Sequence, residues 1–486
     1  MTPTKAKTTL PTPAGDLRGT LTTPKITVMV VAAAAPISCI AGIIPLSFAI
    51  GSGASTPAAF VIAGVVLLLF SVGYAAMSKR MSSAGGFYQY IARGLGKPPA
   101  VAASFVAIVA YNAVALTCVA GIGYFGSVLL DSTFGWTVNW AVLSVVAVVL
   151  VGFLGYREID IAARVLVFLL AAEVAMVVIL DVAIVFEKGA DAFPLSIFSP
   201  HNVVNTGSLG LGLMFALLSF IGFESAALYG EETRDPRKTV PRATYLSVTV
   251  ISVFYFLSSW IAVGAIGPDH VQAVASEQLV TTFFNLSDTY ASSTLTTVLE
   301  FTYLTSLLAS LLALHNASNR YMFVAGREGL LPRWIGTVHP AHRTPSRASL
   351  MQTMVNLIAV IVAVSGGLDP YLDVVTAMTG LGTLGVVLLQ LAASAAIGAY
   401  FVRRGERLIG TLAATAAAFV SLSLLVVLIV KNFDTLTGVS SPVIDALPWI
   451  LVGIAFIGVI YGIWLKVNRP QVYAAIATDA DKEEDQ

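Results

Sequence analysis

Apolar residues gather into long blocks along this chain, parted by short polar or charged connections. Twelve blocks run over 27–50, 57–77, 100–129, 136–155, 161–186, 207–230, 243–267, 294–323, 349–366, 372–402, 409–431 and 446–466. Each approaches or exceeds the ~20 residues that a helix needs to cross a bilayer. The pattern predicts an all-α polytopic membrane protein with 12 transmembrane helices. Two blocks carry helix breakers. Span 1 contains PISCIAGIIPLSFAIGSG, with Pro36, Gly42, Pro45, Gly51 and Gly53, and span 6 contains LSFIGFESAALYG around Gly222. Proline removes an amide hydrogen and clashes with the preceding turn, and glycine loosens the backbone. In a bilayer the freed N–H and C=O groups survive only where protein or a water-filled cavity satisfies them. Interrupted helices at matching positions of two halves point to a transport site. Spans 1 and 6 match if spans 1–5 (about 27–186) and 6–10 (about 207–402) are repeats, the second inverted because five is odd. The plainer reading is that Gly and Pro are simply common in membrane helices.

Composition agrees with the blocks: 57% of residues are hydrophobic and 11% charged, against about 25% charged in a soluble domain. The net charge is zero, so no basic footprint suggests nucleic acid. Both cysteines, Cys39 and Cys118, lie inside apolar blocks, which argues against a disulfide framework. Residues 1–24 and the acidic 468–486 are expected to be disordered tails flanking a transport core at 25–402 and helices 11 and 12 at 403–467. The first block starts too late and runs too long for a signal peptide. Of the 27 Lys and Arg residues, all but Lys188 and Lys431 fall on one side of the alternating spans. That bias predicts cytoplasmic termini in a plasma-membrane protein.

No H-E-x-x-H or Walker A pattern is present, so neither metalloprotease chemistry nor ATP hydrolysis is indicated. His339 and His342 form a pair too small to read as a metal site. GLGTLG (380–385) lies in an apolar span and reads as helix packing. No metal or cofactor is expected.

Three stretches carry more specific information: FIGFESAALYGEETRDPRKTVPRA (220–243), SSAGGFYQYIARGLGKP (82–98) and RYMFVAGREGLLPRWIGTVHPAHRTP (320–345). Together they resemble the amino acid permeases of the amino acid–polyamine–organocation (APC) superfamily. The resemblance covers spans 1–10; spans 11 and 12 carry little of it. It implies a LeuT-like fold of five-plus-five inverted repeats with two extra helices, and alternating access around a central site. It also implies that broken backbone in helices 1 and 6 holds the substrate's carboxylate and amino group. A half-helix N-terminus offers free N–H groups and partial positive charge to a carboxylate, while unwound carbonyls suit an ammonium. One departure concerns helix 1, where many members carry a Gly-Ser-Gly-like triplet. Here the corresponding residues fall near Ser38–Cys39–Ile40, and the bulk of Ile40 shifts the expected pocket toward Ala41 and Gly42.

The candidate substrate-binding residues are therefore Ser38, Cys39, Ile40, Ala41, Gly42, Tyr111, Asn112, Ser219, Phe220, Ile221, Gly222, Glu224 and His315. A charged acid at a helix centre costs about 2.5–3.5 kcal/mol on insertion scales and is functional by default. Glu224 is thus a candidate for substrate, gating or proton contact, or a structural acid that satisfies N–H groups of the break. Glu173, alone in VFLLAAEVAMVVIL, is a candidate proton carrier, Na⁺ ligand, partner of a cationic substrate or hydrogen-bonded structural acid. By count it lies near a position where some family members place a lysine thought to replace sodium. His315, Asn316, Ser318 and Asn319 read as interhelical hydrogen-bonding groups or as pocket lining. Glu300 is an outer gate residue or one that merely sits near the headgroups, and Phe220 is a lid or packing residue. Arg157, Glu158 and Asp160, with Glu231, Glu232, Arg234, Asp235, Arg237 and Lys238, form an inner salt-bridge gate or a solvated set of topology charges. The expected function is secondary active transport of an amino acid or related amine across the lipid bilayer, coupled to protons. Sodium coupling, exchange and a non-transporting sensor are the alternatives.

Overall fold

The computed structural model describes residues 21–81, 86–156, 159–205, 208–406, 408–437 and 442–477, with backbone alone at 159–163, 204, 205, 436, 442, 443 and 445. Twelve apolar helices follow one another: α1 Thr23–Ala49, α2 Gly53–Ser78, α3 Lys97–Phe134, α4 Trp140–Tyr156, α5 Arg164–Ala192, α6 Leu209–Glu232, α7 Pro236–Ile266, α8 Ser293–Glu328, α9 Ser346–Ser365, α10 Pro370–Arg403, α11 Ile409–Lys431 and α12 Ala446–Asn468. Eleven are long and apolar enough to cross a membrane; α4, with 17 residues, is shorter. Among the described residues there is no β-strand, only a parallel bridge between Leu21 and Thr233.

Several helices overrun the apolar blocks, for local reasons. Helix α3 starts at Lys97 because Pro98 and Pro99 fall in its first turn, where no N–H is needed. Helix α7 starts at Pro236, so DPRKTVPRA forms its first turns instead of a connection. Helix α8 continues to Glu328 and stops at Gly329, whose φ of 84° only glycine adopts easily.

The breaks shape the centre. Helix α6 is α-helical over Leu209–Leu218, turns at Ser219–Gly222 and resumes as a 3₁₀ segment, Phe223–Glu232. Gly222 has φ 109°, so this break lies where the sequence placed it. Helix α1 breaks earlier than expected. Its first part ends at Ala33, Ala35 takes a left-handed φ of 48°, and Ser38–Gly42 belong to the resumed helix, which has a π-turn over Cys39–Ile43. The cause is Pro36, which bars α-helical geometry at the residue before it. The two breaks touch: a Cβ on Gly222 would stand 2.8 Å from the Ala33 Cβ.

Burial ranks the helices. The apolar windows of α1 and α6 are 78% and 83% buried, against 28% for α5 and 22% for α12. The broken helices therefore occupy the interior, and the outer helices turn Phe168, Phe186, Phe456 and Trp449 outward, as lipid requires. Residues assigned to the tails are partly folded. Leu21 is fully buried and donates to the Glu232 carbonyl at 2.9 Å. After α12, Pro470–Ala475 forms a short helix, and Ile476 is fully buried. Ser82–Gly85, Arg157 and Glu158 lie outside the described residues.

Candidate functional site

A cavity of ≈ 190 Å³ lies beside the break in α1, walled by α1, α3, α6, α8 and α10. Ala33–Ala35, Ser38, Cys39 and Gly42 supply one wall, Thr117 and Cys118 another, and Ile221, Ser310 and Thr379 parts of the rest. Tyr303 and Tyr371 lie toward the end away from the Lys/Arg-rich helix ends. Among the described residues, no Asp, Glu, Lys, Arg or His lines it.

Most of its hydroxyls are committed. Ser310 donates to the Ala33 carbonyl at 2.9 Å, Thr117 and Thr379 share a bond at 3.1 Å, and Thr383 donates to the Thr379 carbonyl at 2.6 Å. The Ala34 carbonyl receives the Tyr255 hydroxyl at 3.0 Å and the Cys39 thiol at 3.1 Å; that thiol also lies 3.9 Å from the Ser219 carbonyl. Cys39 thus links the break of α1 to that of α6. The Ser38 hydroxyl differs: it is buried and has no partner among the described residues.

Glu224 sits below the cavity. Its Oε1 accepts the Tyr111 hydroxyl at 2.7 Å, and its two oxygens lie 3.3 and 3.2 Å from the Gly222 N–H. Its backbone carbonyl receives Tyr74 at 2.7 Å. The side chain therefore caps the 3₁₀ half of its own helix, an end whose N–H groups have no helical partner. Glu173, fully buried, reaches the back of α1: Ser306 donates to Oε2 at 2.8 Å, and the Ile37 N–H faces the carboxyl. Its Oε1 has no hydrogen-bond partner among the described residues.

The Lys/Arg-rich end is closed. Arg320 of α8 makes a two-pronged bond to Glu232 at 2.9 and 2.8 Å and lies 4.4 Å from the Tyr229 ring centre. A turn or two on, Arg327 grips Glu231 at 3.1 and 2.9 Å. The next acid, Glu328, accepts the Tyr88 hydroxyl and, at 3.2 Å, the Ala477 N–H. Burial, together with the Glu328 carboxylate, holds the Tyr88 phenol well above its ordinary range, so it stays a neutral donor. Lys97 donates to the carbonyls of Tyr473 and Ala474 at 3.0 and 2.8 Å. Lys238 and Asp235 form an exposed surface pair.

Residues 21–465 match the profile of a family described as Amino acid permease. The chain belongs to the amino acid permease family. Among its relatives, an uncharacterized transporter of Mycobacterium tuberculosis is 27% identical over 315 residues, 64% of this chain and 66% of the relative. The branched-chain amino acid permease BcaP of Bacillus subtilis is 26% identical over 372 residues, 70% and 73% of the two chains. The chloroplastic cationic amino acid transporter 7 of Arabidopsis thaliana is 27% identical over 319 residues, 61% and 53%. The match thus spans just under two thirds of the mycobacterial relative.

In this family member, four of the sequence candidates line the cavity: Ser38, Cys39, Gly42 and Ile221. Ile40, Ala41, Tyr111, Asn112, Ser219, Phe220, Gly222, Glu224 and His315 do not, although Ser219 and Gly222 form the adjoining break. Phe220 packs edge-on to Tyr255 at 6.0 Å. His315 bonds Ser349 at 2.9 Å beside Gly155. Asn112 donates to Ser318 at 3.2 Å, and Ser318 to Gln352 at 2.8 Å. These are bonds between helices, the plainer reading of such groups. Glu300 stands near the other end beside Asp288. Glu231 and Glu232 form ion pairs at this end, and their partners come from α8. Arg320 and Arg327, seven residues apart and so on one helical face, carried that signal unread. Asp181 was also missed, although it breaks the apolar run VVILDVAIV. It accepts the Ser258 hydroxyl at 2.7 Å.

Proposed function

We propose that this permease is a secondary active transporter that carries one neutral, apolar amino acid by alternating access across the plasma membrane, driven by protons. The observation that carries the reading is the uncharged cavity at the touching breaks, with the Ser38 hydroxyl still unpaired. The substrate carboxylate takes Ser38 and the start of the resumed α1 helix, where N–H groups and the helix dipole favour an anion. The ammonium takes the carbonyls of Ala33 and Ala34, displacing Cys39 and Tyr255 from the second. The side chain meets Phe215, Leu218, Ile221 and Leu307. A cationic side chain would be buried there without an acid, at heavy cost. The name of the Bacillus relative supports an aliphatic substrate; that of the Arabidopsis relative supports a cationic one, which the cavity wall disfavours. At ≈ 190 Å³ the cavity is below the roughly 300–1,000 Å³ of drug-sized sites, in keeping with a single amino acid.

The expected inversion of α6–α10 relative to α1–α5 and the ion-paired Lys/Arg-rich end support alternating access. With that end cytoplasmic, as the positive-inside bias supports, this conformation faces outward. Coupling resides at Glu173. Its carboxyl shares the start of the resumed α1 helix with the incoming carboxylate, and two like charges there oppose each other. A proton on Glu173 removes the conflict, so proton and substrate bind together. The Ser306 hydroxyl at Glu173 and the Glu173 oxygen without a partner among the described residues support Na⁺ as a second reading.

The deciding experiment is uptake of labelled leucine and lysine into proteoliposomes under an imposed pH gradient or an imposed sodium gradient. Leucine accumulation driven by acid outside, lost in Glu173→Gln, is expected. Accumulation driven only by sodium replaces the proton, lysine preference overturns the substrate class, and binding without uptake leaves a sensor.

A further inference from the structure

We propose that Asp181 loads Glu173 with protons from the end of the bundle opposite the arginine gate. The inference rests on the proton-coupled reading above. Asp181 follows Glu173 by eight residues on α5, about 12 Å along the axis at 1.5 Å per residue, and is turned about a quarter-turn aside. That rotation brings it to α7, where Ser258 donates to Oδ2 at 2.7 Å. Tyr255 lies one turn before Ser258 on the same helix. Its hydroxyl reaches the α1 break at the Ala34 carbonyl, within electrostatic range of Glu173. Asp181, Ser258, Tyr255 and Glu173 thus mark a polar line along the seam of α5 and α7. Around it the interior is apolar, with Val177, Leu180 and Ile184 almost fully buried.

The residue type supports the role. An asparagine or serine would bond Ser258 equally well without the roughly 2.5–3.5 kcal/mol that a charged acid in a membrane helix costs. What the carboxyl adds is the ability to take and release a proton. Packed against α5 are α1, α4, α7, α8 and the helix Thr282–Tyr290. In this half of the bundle their titratable groups are Cys39, Tyr255, Glu300, Tyr303, Asp288 and Tyr290; α4 brings none. On the α5 segment itself are Glu187, Lys188 and Asp191, with Lys188 lying over the Tyr290 ring at 5.8 Å. Among the described residues, no basic side chain forms an ion pair with Asp181. The transfer balances simply. Protonated Asp181 gives its proton through the seam's hydroxyls and water to the Glu173 carboxylate. The Asp181 carboxylate left behind takes a proton from the aqueous phase at the end of the bundle opposite the Lys/Arg-rich one.

The test uses the full chain in proteoliposomes with labelled leucine, comparing uptake driven by acid outside with leucine exchange at equal pH. Exchange needs no net proton movement. Asp181→Asn is expected to slow driven uptake at least about tenfold, in line with loss of one acid–base group, while exchange keeps its rate. Asp181→Glu should restore driven uptake with a shifted external pH dependence. Unchanged driven uptake and pH dependence in Asp181→Asn overturn the proposal. So does an equal loss of exchange and driven uptake that Asp181→Glu repairs without altering the pH profile, since that marks a structural role. If the unmodified protein exchanges leucine but ignores the pH gradient, proton coupling itself fails, whatever Asp181 does.

Discussion

Glu224 and Ser38 are both polar groups at a break, but only one is committed. Glu224 spends its carboxylate on Tyr111 and Gly222. Glu224→Ala strands a buried hydroxyl and a buried N–H, each worth about 1–3 kcal/mol when left unpaired. Lower thermal stability in detergent is expected along with lost uptake, whereas Glu224→Gln should keep most of both. Ser38 has nothing to lose at rest. Ser38→Ala should leave thermal stability unchanged and raise the KM for leucine about tenfold or more, the loss of a hydrogen bond to a charged group. Of this chemistry, the sequence made the acids legible because an acid in an apolar run needs a reason. It did not tell which candidate faces the cavity. That depends on the rotation of each helix, which tertiary packing sets: Tyr111 and Asn112 lie on α3 with Cys118, yet only Cys118 reaches the cavity wall.

At the scale of the element, the two broken helices differ in how openly their sequences announce the break. Gly222 takes a φ of 109° against the Ala33 backbone, and no other residue does this cheaply. Gly222→Ala combines a left-handed penalty of about 1–2 kcal/mol with crowding of about 1–3 kcal/mol. A lower melting temperature and loss of leucine binding are expected, read by thermal shift with and without leucine. In α1 the left-handed residue is Ala35, a type that signals nothing. The informative residue is Pro36, which constrains its predecessor; Gly42 lies inside the resumed helix. Likewise, DPRKTVPRA lies ahead of the apolar block 243–267, yet Pro236 suits the first position of α7. The twelve-block pattern itself was legible because membrane helices must be long and apolar.

For the molecule as a whole, the proposed transport cycle makes the ion pairs at the Lys/Arg-rich end the gate that decides which side the cavity sees. Arg320 and Glu232 are almost fully buried, and removing one partner of such a pair costs about 3–5 kcal/mol by leaving the other charge unpaired. Arg320→Gln should therefore weaken closure of this end. The chain's only two cysteines both line the cavity, so they report it without added labels. A membrane-impermeant maleimide supplied from the Lys/Arg-rich side should label Arg320→Gln faster than the unmodified protein, and leucine should protect. Equal labelling would mean the pair does not hold the gate.

Two segments that composition assigned to loose tails meet at this same place. Leu21 is stitched to the end of α6 through Glu232 and Thr233, and Ala477 to the end of α8 through Glu328. These are the two helix ends whose side chains form the gate. In the proposed cycle, an opening that parts these helix ends from the flanking peptide would undo both stitches, so that peptide would act as a spring whose stiffness is set outside the cavity. Deleting 470–477 should speed the return step and leave substrate preference alone.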